Sequence, residues 1–189
     1  MASTRKNPIQ FVSLISRTDK PLYIQSFIPE LDQDHPKEHN SDEQQHQSVQ
    51  STSTINKFLK FNFFSHMALD IFSSPTSLSL REQQQQQNPN GVLLLFIQDQ
   101  VIVYGYESNN GLKIIVGMDQ SVTINQDNLY KFITSVYKLY LRVVCNPFRN
   151  FGLVNGQQDK QENENENEED LLNSPKFDQG VKKLVDDFV

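Results

Sequence analysis

Residues 92–118 read VLLLFIQDQVIVYGYESNNGLKIIVGM, and this stretch decides the fold. It divides into three apolar runs, which predict strands from Val92 to Ile97, Val101 to Glu107 and Leu112 to Met118. The link from Asn109 to Gly111 supplies residues that tolerate the positive φ of a tight hairpin turn. Because VLLLFI and LKIIV show no regular polar alternation, we expect helices on both faces of the sheet.

The elements outside this stretch complete a three-layer domain. An N-terminal hairpin is predicted from strands at Ile9 to Ser16 and Leu22 to Phe27. Thr54 is placed to cap a helix that runs to about Phe72. Two further helices are predicted from Gln126 to Val144 and, behind the Ser174-Pro175 cap, to about Phe188. The order β-β-α-β-β-β-α-α predicts an α/β/α sandwich.

Polar, low-complexity sequence interrupts this domain three times, at about 29–53, 74–90 and 150–173. Glutamine and asparagine together fill 37 of the 189 positions, and the hydrophobic fraction of 37% is low for a globular protein, where about 45–50% is usual. We therefore predict one domain over residues 1–189 with these segments as flexible inserts.

The formal charge also differs between the inserts and the rest of the chain. Residues 159–170 carry a net charge of −6 and residues 30–53 carry −5, against −6 for the whole chain. The remainder is therefore basic, at about +5. Two interpretations stay open: acidic loops that keep the protein soluble, or acidic tethers above a basic surface.

No pattern for catalysis or for a cofactor is visible. The sequence has no phosphate-binding loop and no GxSxG elbow, and the single cysteine, Cys145, excludes an intrachain disulfide or a cysteine-built zinc site. His35, His39 and His46 have metal-like spacing but lie in a glutamine-rich insert. No apolar run is long enough for a transmembrane helix. We therefore expect a cytoplasmic, non-enzymatic protein without a metal, a cofactor or a nucleic-acid partner.

The first helix has two unlike sides. One side, formed by Phe61, Phe63, Phe64, Met67, Ala68, Ile71 and Phe72, is expected to pack on the sheet. The other side mixes apolar residues with a polar row at i, i+4 and i+8, as an interface core with a polar edge would. It comprises Ile55, Phe58, Leu59, Asn62, His66, Leu69 and Asp70. Docking of a partner and packing by one of the chain's own loops are both open.

The second long helix carries a basic strip of Lys131, Lys138 and Arg142 opposite its apolar arc. The strip is either a solvated back face or a surface for anionic lipid headgroups or an acidic partner.

Five collinear segments carry a family resemblance: PLYIQSF, HMALDIF, VIVYGYESNNGLKIIVGMD, YKLYLRVVCNPF and SPKFDQGVKKLV. Together they resemble the sedlin-like subunits of the TRAPP vesicle-tethering complex, especially the subunit 2-like branch. Asp70 falls on the acidic position of the family's Ala-Leu-Asp helix motif, and Cys145 begins its helix-terminating motif. The three inserts have no counterpart in the compact members.

The resemblance implies a longin-like fold, with a five-stranded antiparallel sheet, one helix on one face and two on the other. It also implies an assembly or adaptor subunit, with other TRAPP subunits as partners. Through the complex it would act on Rab GTPases at Golgi and ER-Golgi membranes. Two alternatives share this topology: a longin-type SNARE and a domain that senses a small molecule.

Overall fold

The computed structural model describes residues 7–27, 43–75, 79, 82–83, 90–146 and 171–188, with side chains from Ile55 onward in the second range. The strands are β1 (Ile9–Ile15), β2 (Pro21–Ser26), β3 (Val92–Gln98), β4 (Val101–Glu107) and β5 (Lys113–Asp119). The helices are α1 (Glu43–Ser73), α2 (Gln126–Val144) and α3 (Pro175–Asp186). The predicted element order is confirmed.

All five strands form one antiparallel sheet in the order β2-β1-β5-β4-β3. The N-terminal hairpin joins the three-stranded meander through the pairing of β1 with β5. These two strands are therefore central, and they are buried along almost their whole length. This explains why the LKIIV run lacks polar alternation.

Two hydrophobic cores lie on opposite faces of the sheet. On one face, α1 packs on β1, β3, β4 and β5 through Phe61, Phe64, Ala68 and Phe72. On the other face, α2 and α3 pack together on the second core through residues such as Ile133, Val136, Phe177 and Val181. One helix on one face and two on the other confirm the predicted α/β/α layers and the longin-like arrangement.

The two turns of the meander differ in chemistry. Gly111 has a φ of 84°, as the predicted Asn109 to Gly111 turn requires. Asp99 and Gln100 form a two-residue connection between β3 and β4, with φ values of 50° and 65°. Two successive positive φ values are typical of a type I′ hairpin turn. The β3–β4 turn therefore forms without glycine.

The start of helix α1 differs from the prediction. The helix begins at Glu43, so Thr54 lies inside the helix and is not its N-cap, and the end of the insert predicted at 29–53 is helical. Glutamate and glutamine are good helix formers, so a helix anchored by its aromatic residues extends through this polar segment. Residues 29–42 lie outside the described residues.

The third predicted insert also needs a correction at its end. Leu172 was assigned to the insert at 150–173, but its side chain is fully buried in the core under α2 and α3. A hydrophobic side chain just before the Ser174 cap anchors the start of α3. Residues 150–170, and most of the insert at 74–90, lie outside the described residues.

Candidate interaction surface

Helix α1 is attached to the sheet by its C-terminal half. Phe61, Phe64 and Ala68 are 3%, 1% and 0% exposed. The ring of Phe61 stacks on Phe11 of β1 with 4.8 Å between centroids, and Phe64 meets Phe96 of β3 edge-on at 5.8 Å. These contacts fix which side of α1 faces away from the domain.

The preceding turn of α1 is exposed all round. Every residue from Ile55 to Leu59 is exposed. Because five successive residues cover more than a full helical turn, this part of α1 has no buried side. This part of the helix therefore extends past the sheet, with its side chains exposed in several directions.

The outer face of α1 is unusually apolar for a solvent-facing helix. Ile55, Phe58 and Leu59, which were predicted for this face, are 56%, 41% and 59% exposed. The described residues include six exposed large hydrophobic side chains, and four of them lie on α1. Large apolar side chains grouped in this way mark an interaction site more often than isolated ones do.

Phe63 corrects the predicted division of α1. It was assigned to the side that packs on the sheet, but its side chain is 57% exposed. At 100° per residue, Phe63 lies closer to Leu59 and Asp70 than to the buried Phe61. Its heptad spacing from Asp70 was the signal that could have placed it on the outer face.

The polar members of the predicted site lie on the same face. Asn62 is half-buried and donates its side-chain amide to the backbone oxygen of Phe58, at 3.2 Å. His66 and Asp70 are exposed. Leu69 is half-buried and packs against the core below α1, so it forms the margin of the site. The structure therefore brings the seven predicted residues onto one helix face with Phe63.

The outer face carries very little charge. Asp70 is the only charged residue on the arc that the predicted residues and Phe63 occupy between Ile55 and Ser73. Lys60 points elsewhere, because its ammonium group lies 3.3 Å from a carboxylate oxygen of Asp99 and 5.4 Å from the centroid of the Phe64 ring. The surface thus combines exposed apolar side chains with one carboxylate that a partner's cation could pair with.

The basic strip lies on the other side of the molecule. Lys131, Lys138 and Arg142 are all exposed on the outer side of α2, whose inner side is buried on the sheet. A groove of about 270 Å³ lies beside the strip, between α2 and the end of α3, and includes Lys131 and Asp187 in its lining. The strip and the outer face of α1 are therefore separate surfaces.

The described residues form neither a metal-ion cluster nor a membrane-spanning helix. In these parts of the chain, no three histidine, cysteine, aspartate or glutamate side chains are grouped so that they could hold a metal ion. The side chains of His35, His39 and His46 lie outside the described residues. None of the described helices has the length and apolar character that a membrane crossing needs.

Comparison with known proteins places the chain in a family. The sequence model described as Sedlin matches residues 14–187, which include the last two residues of β1, the other four strands and all three helices. The chain belongs to the sedlin family. This confirms the resemblance that the five sequence segments indicated.

Individual relatives of this sedlin family member are consistent with the family assignment. The chain is 28% identical over 153 residues to the TRAPP-associated protein TCA17 of Saccharomyces cerevisiae, covering 78% of this chain and 82% of the relative. It is 31% identical over 105 residues to the trafficking protein particle complex subunit 2-like proteins of Rattus norvegicus and Xenopus tropicalis. Those alignments cover 55% of this chain and 74% of each relative.

Proposed function

We propose that this protein is a non-catalytic assembly subunit of a TRAPP-type vesicle-tethering complex, and that it docks on another subunit through the outer face of α1. The single observation that carries the docking site is the group of Ile55, Phe58, Leu59 and Phe63, which are 41–59% exposed on one helix. The association with TRAPP is supported by the names of its relatives.

The partner surface is an apolar groove with a cation at one end. An exposed apolar helix face suits a groove that accepts side chains at i, i+3 and i+4, here Ile55, Phe58 and Leu59. Asp70 lies about 16 Å farther along the helix than Leu59 and needs an arginine or lysine opposite it. A neutral or acidic rim would leave this carboxylate desolvated without a counter-charge.

The role of the complex follows from the same proposal. A TRAPP-type complex would promote nucleotide exchange on a Rab GTPase in ER-to-Golgi and Golgi transport, and this subunit would contact the GTPase only through the assembly. Its location would be cytoplasmic, with peripheral association at Golgi and ER-Golgi membranes. The exposed Lys131, Lys138 and Arg142 offer a contact for anionic headgroups.

Affinity purification of the tagged full-length chain from its own cells, followed by mass spectrometry, tests the proposal. We expect TRAPP subunits in near-stoichiometric amounts. Recovery of SNARE proteins without TRAPP subunits would instead favour the longin-type SNARE. Calorimetry of the isolated chain with GTP and ATP is expected to show no binding, and micromolar binding of either would contradict the non-catalytic assignment.

A further inference from the structure

Asp99, in the two-residue turn between β3 and β4, contacts α1 at the point where the helix leaves the sheet. Its carboxylate lies 3.3 Å from the ammonium group of Lys60. Every residue from Ile55 to Leu59 is exposed, whereas Phe61 is only 3% exposed. The ion pair therefore joins the sheet to α1 at the boundary between the exposed turn of the helix and its buried half.

Lys60 makes a second contact, with an aromatic ring beneath the docking surface. Its ammonium group lies 5.4 Å from the centroid of the Phe64 ring, a distance at which a cation is attracted by the ring. Phe64 is buried, and its ring centroid lies 6.4 Å from that of the exposed Phe63. Lys60 thus connects the β3–β4 turn to the aromatic residues at the base of the outer face.

The backbone of this turn is held in a strained conformation. Asp99 and Gln100 have φ values of 50° and 65°, and the backbone oxygen of Gln100 accepts a hydrogen bond of 2.9 Å from the N–H of Gln120. Positive φ costs energy for any residue except glycine, and such strain persists where surrounding interactions hold it. Glycine at position 99 would avoid the strain but would carry no carboxylate for Lys60.

The ion pair acts locally rather than on the stability of the whole domain. The side chains of Lys60 and Asp99 are 35% and 59% exposed, and exposed ion pairs contribute little to global stability. The buried aromatic residues of α1 already hold its C-terminal half on the sheet. The turn from Ile55 to Leu59 has no buried side chain, so the contact at its base has most influence there.

We propose that Asp99 is a positioning residue for the docking surface. Acting through Lys60, it holds the exposed turn of α1 in the conformation that a partner binds. Only molecules in the binding-competent conformation bind, so the apparent affinity falls in proportion to their fraction. This inference rests on the proposed docking through α1 and adds to it a residue from a different element of the fold.

Competition for the complex inside cells tests the inference. Full-length wild type and a full-length variant, with different tags, are expressed together at equal levels, and the complex is purified through another TRAPP subunit. We expect about two- to fivefold less Asp99→Gly than wild type, as the loss of one exposed ion pair predicts. Its melting temperature should stay close to that of the wild type, because relief of the positive φ offsets the greater freedom of glycine in the unfolded chain.

Gln100→Gly is the matched control, since it relieves the same kind of strain in the same turn but keeps the carboxylate. It should be recovered as well as the wild type. Lys60→Gln should be recovered as poorly as Asp99→Gly, and Lys60→Arg, which keeps the cation, should compete normally. The double variant with Lys60→Gln and Asp99→Gly should be no worse than either single variant, because both changes remove the same contact.

Three outcomes would overturn the positioning role of Asp99. These are full recovery of Asp99→Gly, an equal loss for Gln100→Gly, and a double variant whose loss is the product of the two single losses. Failure of the docking proposal gives a different result. The variant with both Leu59→Glu and Phe63→Glu would then compete as well as the wild type, and this inference would fail with it.

Hydrogen exchange of the isolated full-length chain measures the same effect without a partner. The backbone amides of Ile55 to Leu59 should exchange about two- to fivefold faster in Asp99→Gly than in Gln100→Gly or the wild type, because weakening one exposed contact raises local opening by that factor. The amides of the central strand β5 should exchange at unchanged rates. Equal exchange of the Ile55 to Leu59 amides in all three proteins would contradict the proposal.

Discussion

The aromatic ring of Phe11 lies directly against the α-carbon of Gly117, across the pairing of β1 with β5. The ring occupies the space where a β-carbon of residue 117 would stand, and its far side stacks on Phe61 with 4.8 Å between centroids. The absence of a side chain at Gly117 therefore allows the contact that seats α1 on the sheet.

Gly117→Ala should lower the free energy of unfolding by about 1–3 kcal/mol, because the added methyl group overpacks the Phe11 ring. Gly180→Ala is the matched control. The three atoms nearest to a β-carbon at residue 180 all belong to the side chain of Leu139, with its two terminal methyls at 2.8 and 3.1 Å. This flexible side chain can shift, and alanine is about 1 kcal/mol better than glycine inside a helix. Urea unfolding of both variants checks this. A Gly117→Ala protein as stable as the wild type would contradict the packing account.

Tyr23 of β2 connects the sheet to α3 through two side-chain contacts. Its hydroxyl lies 2.8 Å from a carboxylate oxygen of Asp178, and its ring meets Phe177 edge-on with 4.8 Å between centroids. Tyr23→Phe should cost about 1 kcal/mol at neutral pH, the usual net value of one hydrogen bond. Urea unfolding at pH 7 measures this loss, and an unchanged stability would show that the hydrogen bond does not hold α3.

The same residue predicts a pH dependence. Burial raises the pKa of Tyr23 above its usual value of about 10, and the hydrogen bond to Asp178 and its charge raise it further. The folded protein keeps a proton that the unfolded chain loses, so stability falls as the pH rises above about 10, by up to about 1.4 kcal/mol per pH unit. In unfolding measurements between about pH 9 and 11, Tyr23→Phe should show a shallower fall. Parallel curves would refute the assignment.

Leu172 and the acidic segment before it should differ sharply in their effect on stability. Leu172→Ala empties a fully buried position and should cost about 2–5 kcal/mol. Deletion of residues 156–168, which were predicted as an insert, should change the melting temperature little. Calorimetric melting of both variants compares them. A deletion that destabilises more than Leu172→Ala would show that the segment belongs to the folded domain.

Asp70→Tyr should weaken association with the partner by roughly 2 kcal/mol or more, since it removes the one carboxylate of the outer face and adds a ring. Because Asp70 is exposed, the melting temperature should stay close to that of the wild type. Asp186→Tyr, at another exposed helical position, controls for the added ring. Loss of folding in Asp70→Tyr alone would assign Asp70 a structural role instead.

Much of this fold could be predicted because local signals and tertiary packing agree. The bounds of α2 and of β4 were predicted correctly, since their apolar patterns are regular and their ends carry clear breakers. Helix α1 began much earlier than predicted, because a polar stretch without periodicity can still be helical through residue propensity. The turn at Asp99 and Gln100 was not predicted, because neither residue type indicates a positive φ in the way that glycine does.

The exposure of the outer face of α1 was predicted in outline but not in detail. Ile55, Phe58 and Leu59 could be placed on the outer face by helical periodicity. Phe63 lies among several aromatic residues, and periodicity alone does not show which of these face the sheet and which face outward. The exposure of Leu94 and Ile97 on β3 could not be predicted, because it depends on how far α2 and α3 reach across the sheet. Contacts such as Tyr23 with Asp178, which are 155 residues apart, leave no local signal.

The most direct test of the central claim measures how much of each TRAPP subunit co-purifies with a full-length variant that carries Leu59→Glu and Phe63→Glu. Lys57→Glu, at an exposed position on the other side of the same helix, is the control, and melting temperatures are measured for all three proteins. We predict a loss of about tenfold or more for the double variant, full recovery for Lys57→Glu, and similar melting temperatures. Full recovery of TRAPP subunits with the double variant would contradict docking through the outer face of α1.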